Sequence, residues 1–151
     1  MQRVTLIAVG NLKEKFWREA AGEYSKRLSR FCKLSIIEVA EGGGRDAAKN
    51  LGAEGLSIAR QLPAKAVVLS PEGDKLSSEG FARLVGNAAA DGSPLCFVIG
   101  GSDGLSDSVK AAAARVVSFS DMTFPHMLMR VILLEQLYRA YMINSNSLYH
   151  K

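Results

Sequence analysis

Three short stretches hold the residue types best suited to chemistry: "LSPEG" (69–73), "IGGSDG" (99–104) and "FSDMTFP" (119–125). Each follows an apolar run, and "CFVIGGSDGLSD" shows the pattern most sharply: a buried strand stops at Gly100 and Gly101, and Gly104 closes a polar loop. A phosphate cradle is the first chemistry to test. The loop lacks the Gly-Lys-Ser/Thr ending that reaches terminal phosphates. A dinucleotide fingerprint has better support, because Asp121 stands 21 positions after Gly100, near where a ribose-binding acid belongs. Its glycine spacing, however, is Gly-Gly-x-x-Gly, and too little chain follows it for the remaining sheet of such a fold. Alone, the motif reads equally as a strand-to-helix turn with glycines at positive φ. The three loops together say more. At the carboxyl ends of parallel strands they would line a crevice where a ligand binds. Their glycines and prolines let backbone amides and carbonyls approach a flat base. With no phosphate-binding lysine, the expected ligand is a nucleoside rather than a nucleotide.

Stepping out from the loops, the chain alternates strands and helices. Val4–Val9 reads as a strand closed by Gly10-Asn11, and 13–31 as a helix with Phe16, Ala20, Tyr24, Leu28 and Phe31 at helical spacing. Leu34–Ala40 is a second strand, "EGGGR" (41–45) a mobile loop, and 46–61 a helix weakened by Gly52 and Gly55. Ala66–Leu69 is a strand and "SPEGDK" a turn. Ser77 or Ser78 caps a helix to about Ala90, and Leu95–Ile99 is the most apolar strand. A short helix over 106–115, a strand over Val116–Phe119 and a long helix from Pro125 to about Met142 complete the chain. The alternation predicts a single α/β domain over 1–151, with three layers and a mostly parallel sheet. The last helix, "PHMLMRVILLEQLYRAYM", is apolar on nearly every face and therefore needs cover on every face, which points to a second copy of the chain.

The chain has 19 Lys and Arg against 15 Asp and Glu, a balance that permits a polyanionic partner without requiring one. The helix bearing Arg18, Lys26, Arg27 and Arg30, with Lys13 and Lys15 before it, is the best candidate surface for such a partner. Glu19 and Glu23 alternate with these cations, as on an ordinary solvated face. Cys32 and Cys96 form no metal or redox spacing and sit in apolar stretches, as free thiols in a reducing compartment do. Neither a cleavable leader nor a run of about 20 apolar residues is present, so the expected location is the cytoplasm, with no membrane and no metal.

The segments "VTLIAVGNLKE…EYSKRLSRF", "VLSPEGDKLSSEGFA", "VIGGSDGLS", "FSDMTFPHMLMRVILLEQLYRA" and the terminal "YHK" together resemble the RlmH family of SPOUT-class methyltransferases over the whole chain. Members of that family are the bacterial enzymes that methylate N3 of a pseudouridine in 23S ribosomal RNA. The resemblance implies a trefoil-knotted α/β fold, a homodimer, S-adenosyl-L-methionine in the knot, and the assembled ribosome as substrate. Threaded chains are nearly absent among folds, so periodicity alone would never suggest the knot. Carried over residue by residue, the cofactor would meet Leu69, Gly73, Gly100, Gly101, Gly104, Phe119, Ser120, Met122, Thr123 and Phe124. Relatives commonly have Asp after the strand leucine, where this chain has Ser70 and Pro71. The ribose contact then falls to Glu72 or to backbone.

The same resemblance assigns catalysis to Arg139, Tyr149 and His150, and RNA contact to His126, Arg130 and Lys151. The arginines would hold phosphate or an anionic base, Tyr149 would stack, and His150 would accept a proton. Plainer roles stay open for each. Arg139 follows Glu135 by four residues, a helical ion pair; His126 beside Pro125 suits a helix cap; chain ends usually fray. Two other functions also remain: an RNA-binding factor without catalysis, and a dinucleotide-dependent oxidoreductase built on Asp121.

Overall fold

Five runs of β-branched and large apolar residues become five strands, and all of them are parallel. The computed structural model describes residues 1–151. Chain order is β1 (Gln2–Val9), α1 (Lys15–Leu28), β2 (Cys32–Val39), α2 (Ala47–Ala59), β3 (Ala66–Lys75), α3 (Ser78–Ala90), β4 (Leu95–Ile99), α4 (Asp107–Ala112), β5 (Arg115–Ser118) and α5 (His126–Asn144). The sheet order is β2-β1-β4-β3-β5. β4 lies at its centre, between β1 and β3; β1 is paired with β2 from Gln2↔Cys32 to Val9↔Val39 and with β4 from Val4↔Leu95 to Ala8↔Ile99.

Side-chain alternation along these strands divides the core in two. Val4, Leu6, Ala8, Val67, Leu69, Leu95, Phe97 and Ile99 face α1, α3 and α5 and pack on Leu28, Phe81, Leu133, Leu134 and Leu137. Ile7, Val9, Val68, Cys96 and Val98 face the other way, against Ile58 of α2 and Val109 of α4. The three layers expected from the sequence are therefore present. Burial pushes the Cys96 thiol up to about 11 and raises Cys32 as well, so neither is a nucleophile.

Helix starts follow capping chemistry. Asp46 accepts from the amides of Ala48 (3.0 Å) and Lys49 (3.3 Å), and Ser77, the first of the two candidate caps, accepts from Gly80 at 3.0 Å. Gly55 weakens α2 as a helix but brings it against α4, since a Cβ there would stand 2.7 Å from Ser106 Oγ. "EGGGR" is anchored: buried Glu54 accepts from the Gly42 amide at 2.7 Å, and Asn50 bonds both the amide and the carbonyl of Gly44.

One expectation fails at β3, which does not end at Leu69. The "SPEGDK" stretch bulges out and rejoins β5, so that both Leu69 and Asp74 are opposite Val117. Gly73 makes this possible: a Cβ would lie 2.7 Å from backbone atoms of Val116 and Val117. The bulge pushes Ser70 and Pro71 over the carboxyl end of the sheet.

Candidate active site

The carboxyl ends of β3, β4 and β5 open into one cavity of about 600 Å³, and all three loops singled out in the sequence line it. Its size falls within the ~300–1,000 Å³ range of small-molecule sites. Leu69, Ser70 and Pro71 form one wall, residues 99–102 with Gly104 and Leu105 the middle, and residues 118–120 with 122–125 the third, with His126 and Met129 of α5 across the opening. No Asp, Glu, Lys or Arg side chain lines it. A phosphate or a dinucleotide would find no countercharge there.

The glycines of the middle wall serve different ends. A Cβ on Gly100 would fall 2.4 Å from the Gly104 carbonyl oxygen, so the loop folds back on itself only without a side chain. Gly104 has φ +81°, the left-handed region, and its amide bonds the Gly101 carbonyl at 3.0 Å. Gly101 abuts Val9, whose Cγ1 would be 3.0 Å from a Cβ there. Ser102 donates to Glu41 at 3.2 Å, tying the loop to the end of β2. In the third wall Ser118 Oγ donates to the Ser120 carbonyl (2.9 Å), and the Met122 amide donates to Ser120 Oγ (3.0 Å). Met122 itself is 73% exposed at the rim.

Of the residues expected at the cofactor, Leu69, Gly100, Gly101, Gly104, Phe119, Ser120, Met122, Thr123 and Phe124 line this cavity. Gly73 does not; it packs under β5. Glu72, a possible ribose partner, turns away to Lys110 and Ser70, which lower its carboxyl to about 2. Asp121 is likewise turned outward, paired with Lys75 at 2.5 Å, so the dinucleotide reading loses its acid. Ser118, Ile99, Leu105 and Met129 were missed by sequence reasoning; proximity to the glycine loops was the available signal.

The polar set divides into two places. His126 lines the cavity, and its Nε2 is a buried atom with no partner in the protein. It does not cap α5, whose N-cap is Pro125 without a side-chain bond. Arg130 is 3% exposed and faces inward, donating to Glu38 at 2.7 Å and to the Gly10 carbonyl at 3.0 Å. It locks α5 to the ends of β1 and β2 and is not an exposed cation.

Arg139, Tyr149 and His150 form a separate cluster. Arg139 bonds Glu135 through NH2 at 2.7 Å and sits 4.8 Å from the Tyr149 ring centroid, while Tyr149 donates to Glu135 at 3.0 Å. Burial, followed by the bond to Glu135, raises the Tyr149 phenol above its ordinary value. His150 lies between Arg139 (3.1 Å) and Glu79 (2.9 Å), and Lys151 is exposed beyond it. His126 and Arg139 are thirteen positions apart along one helix, a span of roughly 20 Å. Within one chain the tail cluster and the cavity lie at opposite ends of α5.

The neutral cavity fits a nucleoside-type cofactor. Apolar walls suit a flat base, bare backbone suits its polar edge, and unpartnered His126 Nε2 awaits a ligand group. The family of predicted SPOUT methyltransferases matches residues 2–150, and this chain belongs to it. The "Ribosomal RNA large subunit methyltransferase H" of Bifidobacterium adolescentis is 46% identical over 99% of both chains; that of Streptococcus gordonii is 44% identical over the same share. Among solved structures, a probable methyltransferase from Bordetella pertussis superposes with a TM-score of 0.57 at 12% identity, covering 92% of this chain and 96% of its own. That likeness concerns the fold. No group of three or more His, Cys, Asp or Glu side chains is placed to hold a metal, and no helix is long and apolar enough to cross a membrane.

Proposed function

We propose that this chain is an S-adenosyl-L-methionine-dependent methyltransferase acting on N3 of a pseudouridine in 23S ribosomal RNA. The carrying observation is the uncharged, glycine-walled cavity, in a chain 46% identical along its length to a large-subunit ribosomal RNA methyltransferase. When bound, the cofactor supplies an electrophilic methyl group. Leu69, Ile99 and Leu105 would flank its base, with Gly100, Gly101 and Gly104 presenting backbone to it. His126 Nε2 would take a polar group of its amino-acid end. Methyl transfer is an in-line displacement, so alignment by these walls supplies much of the catalysis. The N3 proton must also leave, and the groups able to assist are Arg139, as a cation beside a developing anion, and His150, as a base.

That cluster is remote from the cavity of its own chain, and this separation supports a homodimer in which the tail of one protomer serves the cavity of its partner. The half-buried apolar flanks of α5, among them Leu128, Val131, Ile132 and Met142, supply a surface for that pairing. The trefoil knot, the ribosomal context and a cytoplasmic location belong to the same proposal. So does an RNA surface on α1, the basic helix that reads shape rather than sequence.

The test is methyl transfer from labelled cofactor to ribosomes lacking the modification, followed by mapping of the label. Label at a pseudouridine N3 is expected. Label elsewhere overturns the substrate, and absence of cofactor binding by calorimetry overturns the enzyme in favour of an RNA-binding factor. Mixed dimers, one chain truncated before Tyr149 and the other disabled at Gly101, should recover activity; no recovery overturns the shared site.

A further inference from the structure

The tail histidine has one chemically consistent arrangement, and it draws in a residue outside the expected catalytic set. Arg139 NH1 approaches His150 Nδ1 at 3.1 Å. A guanidinium has donors only, so Nδ1 must offer its lone pair. A neutral imidazole then carries its single proton on Nε2, and that atom is 2.9 Å from Glu79 Oε1. A charged ring would set an N–H against the Arg139 donor. The charged and titratable groups around the ring are Glu79 from α3, Arg139 and, behind it, Glu135 from α5, and Tyr149 and Lys151 in the tail.

We propose that Glu79 is a positioning residue for methyl transfer: it accepts the Nε2 proton of His150 and so keeps the Nδ1 lone pair as the basic atom of the tail. This rests on the reading that the tail takes part in methylation. The first turn of α3 supports the tail twice over. Ser78 Oγ donates to Gln136 Oε1 at 2.7 Å, Gln136 Nε2 donates to Glu135 Oε2 at 3.0 Å, and Glu135 in turn holds Arg139 and Tyr149. One residue further on, Glu79 holds His150. The cation and the base are thus aligned from a single helical turn, which directly follows the bulge whose Ser70 and Pro71 wall the cavity. When RNA draws Arg139 away, Nδ1 is free to take the N3 proton. The N–H electron pair stays on N3, and the imidazolium keeps its Nε2–H on the Glu79 carboxylate. In carboxylate–histidine catalytic pairs, too, the carboxylate accepts one ring N–H and leaves the other nitrogen as the base.

The experiment uses ¹⁵N-histidine-labelled full-length protein, in which only His126 and His150 give ring signals, with assignment through His126→Gln. Wild type should show a His150 ring proton, protected from water, correlated to Nε2. Glu79→Gln retains an acceptor and should keep that signal; Glu79→Leu should lose it to solvent exchange. On ribosomes, Glu79→Leu should lower kcat on the order of tenfold with the KM for S-adenosylmethionine unchanged, and Glu79→Gln should recover to within about threefold. A proton found on Nδ1 in the wild type, or full activity in Glu79→Leu, overturns the proposal. The ring signal is read on the free protein, and cofactor binding is measured apart from it. Failure of this inference is therefore distinct from failure of the methyltransferase reading, which would show as a wild type that neither binds cofactor nor methylates.

Discussion

Substituting Gly100 by alanine tests whether bare backbone is what makes the cavity. The added methyl would lie 2.4 Å from the Gly104 carbonyl oxygen and 2.9 Å from Leu105 Cγ, where ordinary contact begins near 3.4 Å. Relief therefore needs a shift of about 1 Å in 101–105, and the nearest obstacle is backbone, not the end of a flexible side chain. A displacement of that size in a positioning wall costs about 10²-fold in rate and is expected to weaken cofactor binding by well over threefold, while overpacking costs about 1–3 kcal/mol of stability. For a chain of this length that means a Tm lower by about 2–12 °C. Calorimetric titration with S-adenosylmethionine, together with thermal unfolding, reads both quantities. Gly92→Ala provides the control: its φ of +68° makes any side chain strained, but nothing lies within 4 Å of a Cβ there. It should lose about 1–2 kcal/mol of stability and keep full cofactor affinity. Affinity within threefold of wild type in Gly100→Ala would refute the close-approach argument.

Three further outcomes follow from geometry. Glu38→Ala leaves buried Arg130 with only the Gly10 carbonyl; because Glu38 is 43% exposed, the expected loss is about 2 kcal/mol in urea unfolding, below the ~3–5 typical of a fully buried pair. Glu72 is held near 2 by Lys110 and then Ser70, so its contribution to stability is present above the ordinary carboxyl value of 4.5 and fades as pH falls towards 2. A ¹³C carboxyl titration should find that midpoint, and Lys110→Met should move it back towards 4.5. Gly73→Ala forces a methyl to 2.7 Å from β5 backbone and should destabilise by about 1–3 kcal/mol, measured by thermal unfolding.

The sequence revealed most where a local rule governs. Short apolar runs placed β1 and β4, the Ser77 cap started its helix, and glycines marked the loops that meet at the cavity. It failed where distant segments decide. "SPEGDK" has every turn-forming residue, and only the approach of β5, with Gly73 small enough to admit it, returns the chain to the sheet. Arg130 reads, from the family resemblance, as an RNA contact, but Glu38 and Gly10, more than 90 residues earlier in the chain, draw it inside. The family resemblance supplied the tail residues as a set. The Glu135–Arg139 pair was legible in its four-residue spacing, but the bond of Tyr149 to Glu135 and of His150 to Glu79 depends on how the tail and α3 pack against α5, which no spacing encodes.

The strand order also governs how the chain can assemble. β1 and β2 are neighbours in sequence and in space and can pair early, but β3 is held off β1 by β4, which is made later. Until residues 95–99 emerge, β3 has no partner and β1 has one bare edge. At ~5–20 residues per second of synthesis, that leaves seconds in which an apolar strand waits for its neighbour. Closing the sheet then joins segments about 90 positions apart, the long-range pairing that slows folding. The protein is thus expected to complete its core only after most of its length has been made, with β4 as the keystone.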